Sequence, residues 1–261
     1  MKIFMPTGWE DSRIQMCTPG DGRCIAYAPY TAGWLVKVPE EAMKRKLAAH
    51  IQGVKKRGAA FNLFIDYMCF NNEEFTRKGF SRLTGMLDLF TASGLDSITV
   101  GSPYIFELIK KRFPQLSVGV SDEAYVDSPR RAQFWEDMGA DFIILPASGV
   151  NKDFEVMITI RRGVSCELYI VVNSSSLNKY PYSDTYLQHS HQGGGGALDS
   201  PEYLLSRGTW VRPEDTGFYL SQGINGVKLL SEPANEEQFI RVVSAYRDKK
   251  YGGNIADLLS E

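Results

Sequence analysis

A lysine stands inside an apolar run near the end of the chain, Lys228 in the segment GVKLL from Gly226 to Leu230. A buried ammonium without a partner is costly, so such a residue either points into a wet pocket or is paired. Placement in a site is the stronger reading. Upstream, the apolar run Thr209–Val211 ends at Arg212 in the segment WVRPED. The planar fork of an arginine there can hold a substrate carboxylate or phosphate. The competing reading makes Pro213-Glu214-Asp215 a helix N-terminus, its acids favouring the dipole and Arg212 paired to them. Asp66, Ser102, Asp122, Glu123 and Asn173 each follow another apolar run. Singly, each reads equally well as a loop cap or an Asx turn. Together they matter only if those runs are strands whose ends converge on one face.

On that condition the residues divide by role. Lys228, Asp66 and Glu123 are the catalytic candidates, with Asp66 or Glu123 doing acid/base work. Arg212, Ser102, Asn173 and Tyr104 are the candidate substrate-binding residues, Arg212 and Lys228 holding an anion. His189 and His191 form a His-x-His pair, while the third histidine, His50, falls in a predicted helix. Alternation puts both imidazoles on one side of an extended segment, where Asp184 or Asp199 would complete a metal set. A solvated loop explains the pair as simply, and no metal or other cofactor is expected. Cys17, Cys24, Cys69 and Cys166 are scattered and read as free thiols. Cys17 and Cys24 share a Pro/Gly-rich loop, but two ligands do not make a metal site. There is no G-x-S-x-G elbow, P-loop or G-x-G-x-x-G, so serine-hydrolase, NTPase and dinucleotide readings lack support.

The elements that must position these residues follow a regular grammar. Apolar runs at Lys2, Ala60, Ser97, Leu116, Asp141, Glu167, Thr209 and Gly226 start about eight strands, the number a closed barrel needs. Helical segments alternate with them, as in the one opened by Pro39 and Glu40-Glu41 and ended by Lys55-Lys56-Arg57-Gly58, whose Met43, Leu47, Ile51 and Val54 form an apolar stripe. Asn71 or Asn72 is placed to cap the segment from Glu73 to about Ser93, and Asn151 or Asp153 the one ending near Gly163. This alternation predicts a single α/β domain, a (β/α)8 barrel over residues 1–261, with a doubly wound open sheet as the competitor. Thr7–Pro39 reads as a long irregular insertion, holding a hairpin through Cys24–Tyr30 and Trp34–Val38. Residues 174–207 are polar and aromatic with four consecutive glycines, and read as a flap over the site.

Composition narrows the function classes. With 43% hydrophobic and 23% charged residues in 261, the chain has an ordinary globular make-up. A net charge of −2 from 29 basic and 31 acidic residues gives no global attraction to nucleic acid or anionic lipid. The start, MKIFMPTGWEDSRIQ, lacks the apolar core of a signal peptide, and no run approaches a membrane span, so a cytoplasmic protein is expected.

Several segments carry a resemblance: ITVGSPYIFELIKKRFP, VGVSDEAYVDSPRRAQFWEDMGADFIILP, ELYIVVN, WVRPED and GVKLL. Together, over roughly Ala60 to Asn254, the chain resembles the collagenase-like peptidase family, the U-thirty-two group. The resemblance implies a barrel-like fold with the site at the carboxyl ends of the strands. Members are labelled peptidases, while the better understood ones look like hydroxylating enzymes for RNA bases or quinone precursors. Several carry an iron–sulfur cluster on four cysteines, the first two in a C-x-x-x-C-P-like run after the sixth strand. Here Pro181 matches, but Ser176 and Tyr180 stand where those cysteines would be. Soft iron needs thiolates, so a cluster of the family type is not expected. The resulting expectation is a cluster-free enzyme acting on a small carboxylate-bearing or peptide substrate. The alternative is a non-catalytic barrel that supports or recognises a protein partner of a hydroxylation-type complex.

Overall fold

The computed structural model describes residues 1–17, 24–30, 41–65, 72–174, 208–230 and 235–259. Eight parallel strands close into a barrel in chain order: β1 (Lys2–Pro6), β2 (Cys24–Pro29), β3 (Ala60–Ile65), β4 (Ser97–Val100), β5 (Ser117–Val120), β6 (Phe142–Leu145), β7 (Glu167–Val171) and β8 (Gly226–Lys228). The seam between β8 and β1 pairs Phe4 with Lys228, and the β7–β8 ladder pairs Val171 with the same lysine. Among the described residues, the α-helices of six or more residues are α1 (Glu41–Lys56), α2 (Arg77–Ala92), α3 (Pro103–Arg112), α4 (Pro129–Asp137), α5 (Phe154–Gly163), α6 (Thr216–Ser221) and α7 (Glu236–Asp248). Helices between parallel strands cover the outer face of the sheet, which explains the continuous apolar runs of β3, β6 and β7.

Local chemistry sets the helix boundaries. In α1, Leu47, His50, Ile51 and Val54 are buried at helical spacing, Glu41 opens the first turn, and Lys55 and Lys56 close the last. The expected cap at Asn71 or Asn72 is corrected. Asn72 takes a left-handed conformation (φ 65°) without a side-chain cap, leading only into the short 3-10 turn Glu73–Phe75. Thr76 caps α2 instead, its hydroxyl accepting from the Gly79 N–H at 2.9 Å. Asp153 caps α5, accepting from the Val156 N–H at 3.2 Å.

Two of the strand assignments change. Cys24–Pro29 is not half of a hairpin. It is β2, parallel to both β1 and β3, so these six residues of the region read as an irregular insertion belong to the barrel wall. The crossover from β1 to β2 runs through a 3-10 helix, Asp11–Met16, which buries only Ile14 and leaves no 3.6-residue stripe to read. Trp34–Val38, the other half of the expected hairpin, lies outside the described residues. Conversely, Thr209–Val211 is not a strand. It runs beside the end of β7, the Val211 N–H donating to the Val172 carbonyl at 2.8 Å. There it is held by the Asn151 amide on the Thr209 carbonyl (2.9 Å) and the Tyr246 hydroxyl on the Val211 carbonyl (2.7 Å).

The barrel interior is a separate core from the layer beneath the helices. Phe4, Tyr27, Phe64, Phe142, Ile144, Tyr169 and Val171 fill it, with Phe4 edge-on to Tyr169 at 4.9 Å and Tyr27 against Phe64 at 4.8 Å. Gly119 makes room for the Phe142 ring, since a Cβ there would lie 2.0 Å from it. Asn62, on the same face of β3 as Phe64, donates to the Ser97 hydroxyl at 2.7 Å and accepts from Thr99 at 3.0 Å, so these polar groups are satisfied.

At the carboxyl end of β1 the chain turns sharply, with both Gly8 and Trp9 at positive φ. The buried His50 imidazole holds this turn, Nδ1 lying 2.8 Å from Asp11 Oδ1 and Nε2 3.1 Å from the Thr7 hydroxyl. Burial lowers the pKa of His50 below its ordinary 6.5, against the opposing pull of Asp11 and Glu10, while the Lys46 charge adds to the lowering.

Candidate active site at the carboxyl end of the barrel

Lys228 ends β8 and is 4% exposed, so its ammonium has left bulk water. It donates to Asp122 Oδ1 at 2.7 Å across 106 residues of sequence. The same ammonium lies over the Phe64 ring, 4.2 Å from its centroid, and 5.8 Å from that of Tyr27. A carboxylate on one side and aromatic faces on another stabilise the charged form of a buried amine.

The partner is set by the turn after β5. Ser121 follows the strand, its hydroxyl accepting from the Glu123 N–H at 3.2 Å, and this fixes the 3-10 turn Asp122–Ala124. The turn directs Asp122 at Lys228, while Glu123 is exposed. The sequence places both acids at the strand end and Glu123 reads as the catalytic candidate; barrel closure brings its neighbour Asp122 to the lysine.

The rest of the lysine's surroundings are stitched by backbone bonds. The Lys228 carbonyl accepts from the Val172 N–H at 3.2 Å, and the Leu229 N–H donates to the Phe4 carbonyl at 3.0 Å. Asn173, also buried, accepts from the Leu230 N–H at 2.7 Å, tying the end of β7 to the end of β8. The Tyr27 hydroxyl donates to the Leu229 carbonyl at 2.5 Å. Tyr27 and Phe64, which face the ammonium, do not stand out in the sequence, Tyr27 because β2 reads as a hairpin arm and Phe64 because an aromatic in an apolar run reads as core.

The other candidates sit in different settings. Arg212 is half-exposed and pairs with Glu214 at 3.5 Å, whose second oxygen accepts from the Tyr251 N–H at 2.6 Å. That backbone bond, with Arg212 adding to it, lowers the Glu214 carboxyl below its usual range. Lys228 and Arg212 therefore belong to two separate ion pairs. Ser102 is buried ahead of α3, its carbonyl accepting from the Phe106 N–H at 2.9 Å. Tyr104 is exposed and packs on Phe75, ring centroids 4.7 Å apart. Asp66, His189 and His191 lie outside the described residues. Among the described residues no group of three or more His, Cys, Asp or Glu side chains could hold a metal ion. Among the same residues no helix is long and apolar enough to cross a membrane.

A closed parallel barrel with a buried lysine–carboxylate pair at the carboxyl ends of its strands defines the class of (β/α)8 barrel, in which sites are built at that end. The sequence model of peptidase family U32 matches residues 42–176, and the chain belongs to that family. It is 30% identical over 229 residues to the uncharacterized protease MJ1657 of Methanocaldococcus jannaschii, across 82% of this chain and 68% of that protein. Among solved structures it is similar to the U32 peptidase Mk0906, with a TM-score of 0.61 and 23% identity over 89% of this chain and 93% of the other. The chitinase RmChi1 of Rhizomucor miehei shares the fold at a TM-score of 0.52 and 14% identity, covering 96% of this chain and 100% of the chitinase.

Proposed function

We propose that this U32-family chain is an enzyme that works at the carboxyl mouth of its barrel on a peptide or other small carboxylate-bearing substrate. Lys228 supplies the fixed positive charge, meeting the substrate's carboxylate or a carbonyl oxygen that gains charge during reaction. Asp122, which accepts a hydrogen bond from the amine at 2.7 Å, orients it. Asp66 and Glu123, following β3 and β5, are the further acid/base candidates, and Ser102, Tyr104, Asn173 and Arg212 the candidates for holding the rest of the substrate.

The observation that carries this reading is the buried Lys228–Asp122 pair, 2.7 Å apart with side chains 5% and 15% exposed. Taking two charges out of water costs several kcal/mol per ion before their attraction offsets it, so a barrel gains little stability from the pair alone. The family's peptidase label supports the choice of a peptide substrate. The test is turnover of a defined mixture of short peptides with free carboxyl termini, followed by mass spectrometry. Lys228→Met should reduce turnover by at least about 100-fold, the range lost with one electrostatic donor, while the circular-dichroism spectrum is kept. Undiminished turnover in that variant would refute the role of Lys228.

A further inference from the structure

Tyr27 is buried beside Lys228 and is held at both ends. Its hydroxyl donates to the carbonyl of Leu229, the residue after the lysine. Its own carbonyl accepts from the Thr7 N–H at 2.8 Å, and the Thr7 hydroxyl lies 3.1 Å from the same oxygen. That hydroxyl is also 3.1 Å from Nε2 of His50, whose Nδ1 is 2.8 Å from Asp11 Oδ1. Asp11 is exposed, while His50 and Thr7 are buried. A continuous chain of hydrogen bonds therefore runs from a carboxylate in water, through one buried imidazole, to the wall of the candidate site.

A neutral imidazole cannot satisfy every link of this chain. Nδ1 faces a carboxylate, which only accepts, so the ring hydrogen sits there and Nε2 is an acceptor. The Thr7 hydroxyl has one hydrogen for two acceptors, Nε2 and the Tyr27 carbonyl, and can serve only one of them. An imidazolium removes the conflict, because its Nε2–H donates to the hydroxyl and frees the hydroxyl hydrogen for Tyr27. Burial opposes the charged ring, Asp11 and Glu10 from the turn after β1 favour it, and Lys46 from α1 opposes it. Arg13, in the same 3-10 helix as Asp11, turns instead to Glu236 and the Phe239 ring. The Trp9 and Phe61 rings, 5.5 and 5.9 Å from the imidazole, pack against it without charge.

We infer that His50 is a positioning residue for Lys228: its protonation decides whether the Thr7 hydroxyl bonds the Tyr27 carbonyl, and so how firmly Tyr27 is seated beside the ammonium. The proton enters and leaves at Nε2, and the hydroxyl hydrogen of Thr7 swings between Nε2 and Tyr27 in response. With His50 charged, Tyr27 is tied at its carbonyl by both the N–H and the hydroxyl of Thr7. With His50 neutral, the hydroxyl bond passes to the imidazole and the Tyr27 end of the chain is looser. The consequence for turnover rests on the reading of Lys228 given above, whereas the coupling between His50 and Lys228 does not.

The test titrates the full chain, isotope-labelled at lysine and histidine, by NMR between about pH 5 and 8. The Lys228 side-chain signal is assigned by its loss in Lys228→Met, and the His50 ring signal by its loss in His50→Gln. The Lys228 signal should shift with the midpoint of His50. In Thr7→Val, His50 should still titrate while the Lys228 signal stays still, and Thr7→Ser should restore the shift. A Lys228 signal that ignores His50 in the unsubstituted chain, or that follows it in Thr7→Val, would overturn the inference. Should Thr7→Val fail to fold, His50→Gln decides: a still Lys228 signal supports the coupling, and a shift over the same range overturns it. In the peptide assay, kcat should fall about fivefold as pH rises through the His50 midpoint, the worth of one hydrogen bond, and Thr7→Val should abolish that step. A kcat without the step in an active unsubstituted chain would also overturn the inference. A chain with no turnover at all would refute the reading of Lys228 instead, and the NMR titration would still decide the coupling.

Discussion

The barrel carries a lysine–carboxylate pair at each end, alike in chemistry and different in surroundings. At the amino end Lys2, the first residue of β1, meets both oxygens of Glu167, the first of β7, at 2.6 and 2.8 Å. The Tyr169 hydroxyl also donates to Glu167 at 2.6 Å. The Lys2 and Glu167 side chains are 42% and 38% exposed, against 5% and 15% for Lys228 and Asp122. Water screens the first pair and dissolves most of its worth, whereas the second must be held by the fold. The amino-end pair closes off the floor of the barrel. The carboxyl-end pair keeps charge in a place where it can act.

That contrast can be broken by substitution. Asp122→Asn removes the charge facing the buried ammonium and should cost about 3 to 5 kcal/mol of unfolding free energy in denaturant titrations. Combining Lys228→Met with Asp122→Leu should recover most of that loss, because an apolar pair of similar volume avoids the desolvation cost. Should Asp122→Asn prove neutral, the two ends are energetically equivalent and the contrast fails. Gly226→Ala sharpens the description of the floor: a Cβ there would lie 2.1 Å from the Lys2 carbonyl oxygen and 2.9 Å from the Tyr169 ring. Such overpacking should cost about 2 to 3 kcal/mol, read from the same titrations.

His50, beside the carboxyl end of β1, adds a pH-dependent difference. Its folded pKa lies below the ordinary 6.5, so below that value the unfolded chain binds more protons than the folded one. This contribution to stability is complete above pH 6.5 and is lost as pH falls below it, with a slope of at most about 1.4 kcal/mol per pH unit. His50→Gln should flatten that slope between pH 5 and about 6.5, and an unchanged slope would assign it to other groups. The smallest effect is expected at the floor, where Lys2→Met should change stability by less than about 1 kcal/mol, and by less still in high salt.

Much of the fold was legible because parallel strands buried on both faces leave plain apolar runs, as in β3 and β6, and their helices leave apolar stripes. The roster of strands was not wholly legible. Thr209–Val211 has the composition of a strand, and its burial comes from Asn151, Tyr246 and the end of β7 rather than from a place in the sheet. β2 hid behind a crossover whose helix is 3-10 and too short to show a period. In the candidate site, Lys228 announced itself as a charge in an apolar run. Its partner did not, since Asp122 and Glu123 are adjacent in sequence and only the turn fixed by Ser121 decides which of them meets the amine.

β8 is three residues long, yet its neighbours β1 and β7 flank it, and bonds from Phe4, Val172, Asn173 and Tyr27 pin the chain around its last residue. A lysine usually places its charge by swinging a loose tether; here the tether is anchored at its root and walled in by rings along its length. A group approaching the mouth meets a charge already in position, with no reorientation to undergo. It must come within hydrogen-bonding reach of that point, and a group held even a few ångströms short of it would feel only a screened attraction.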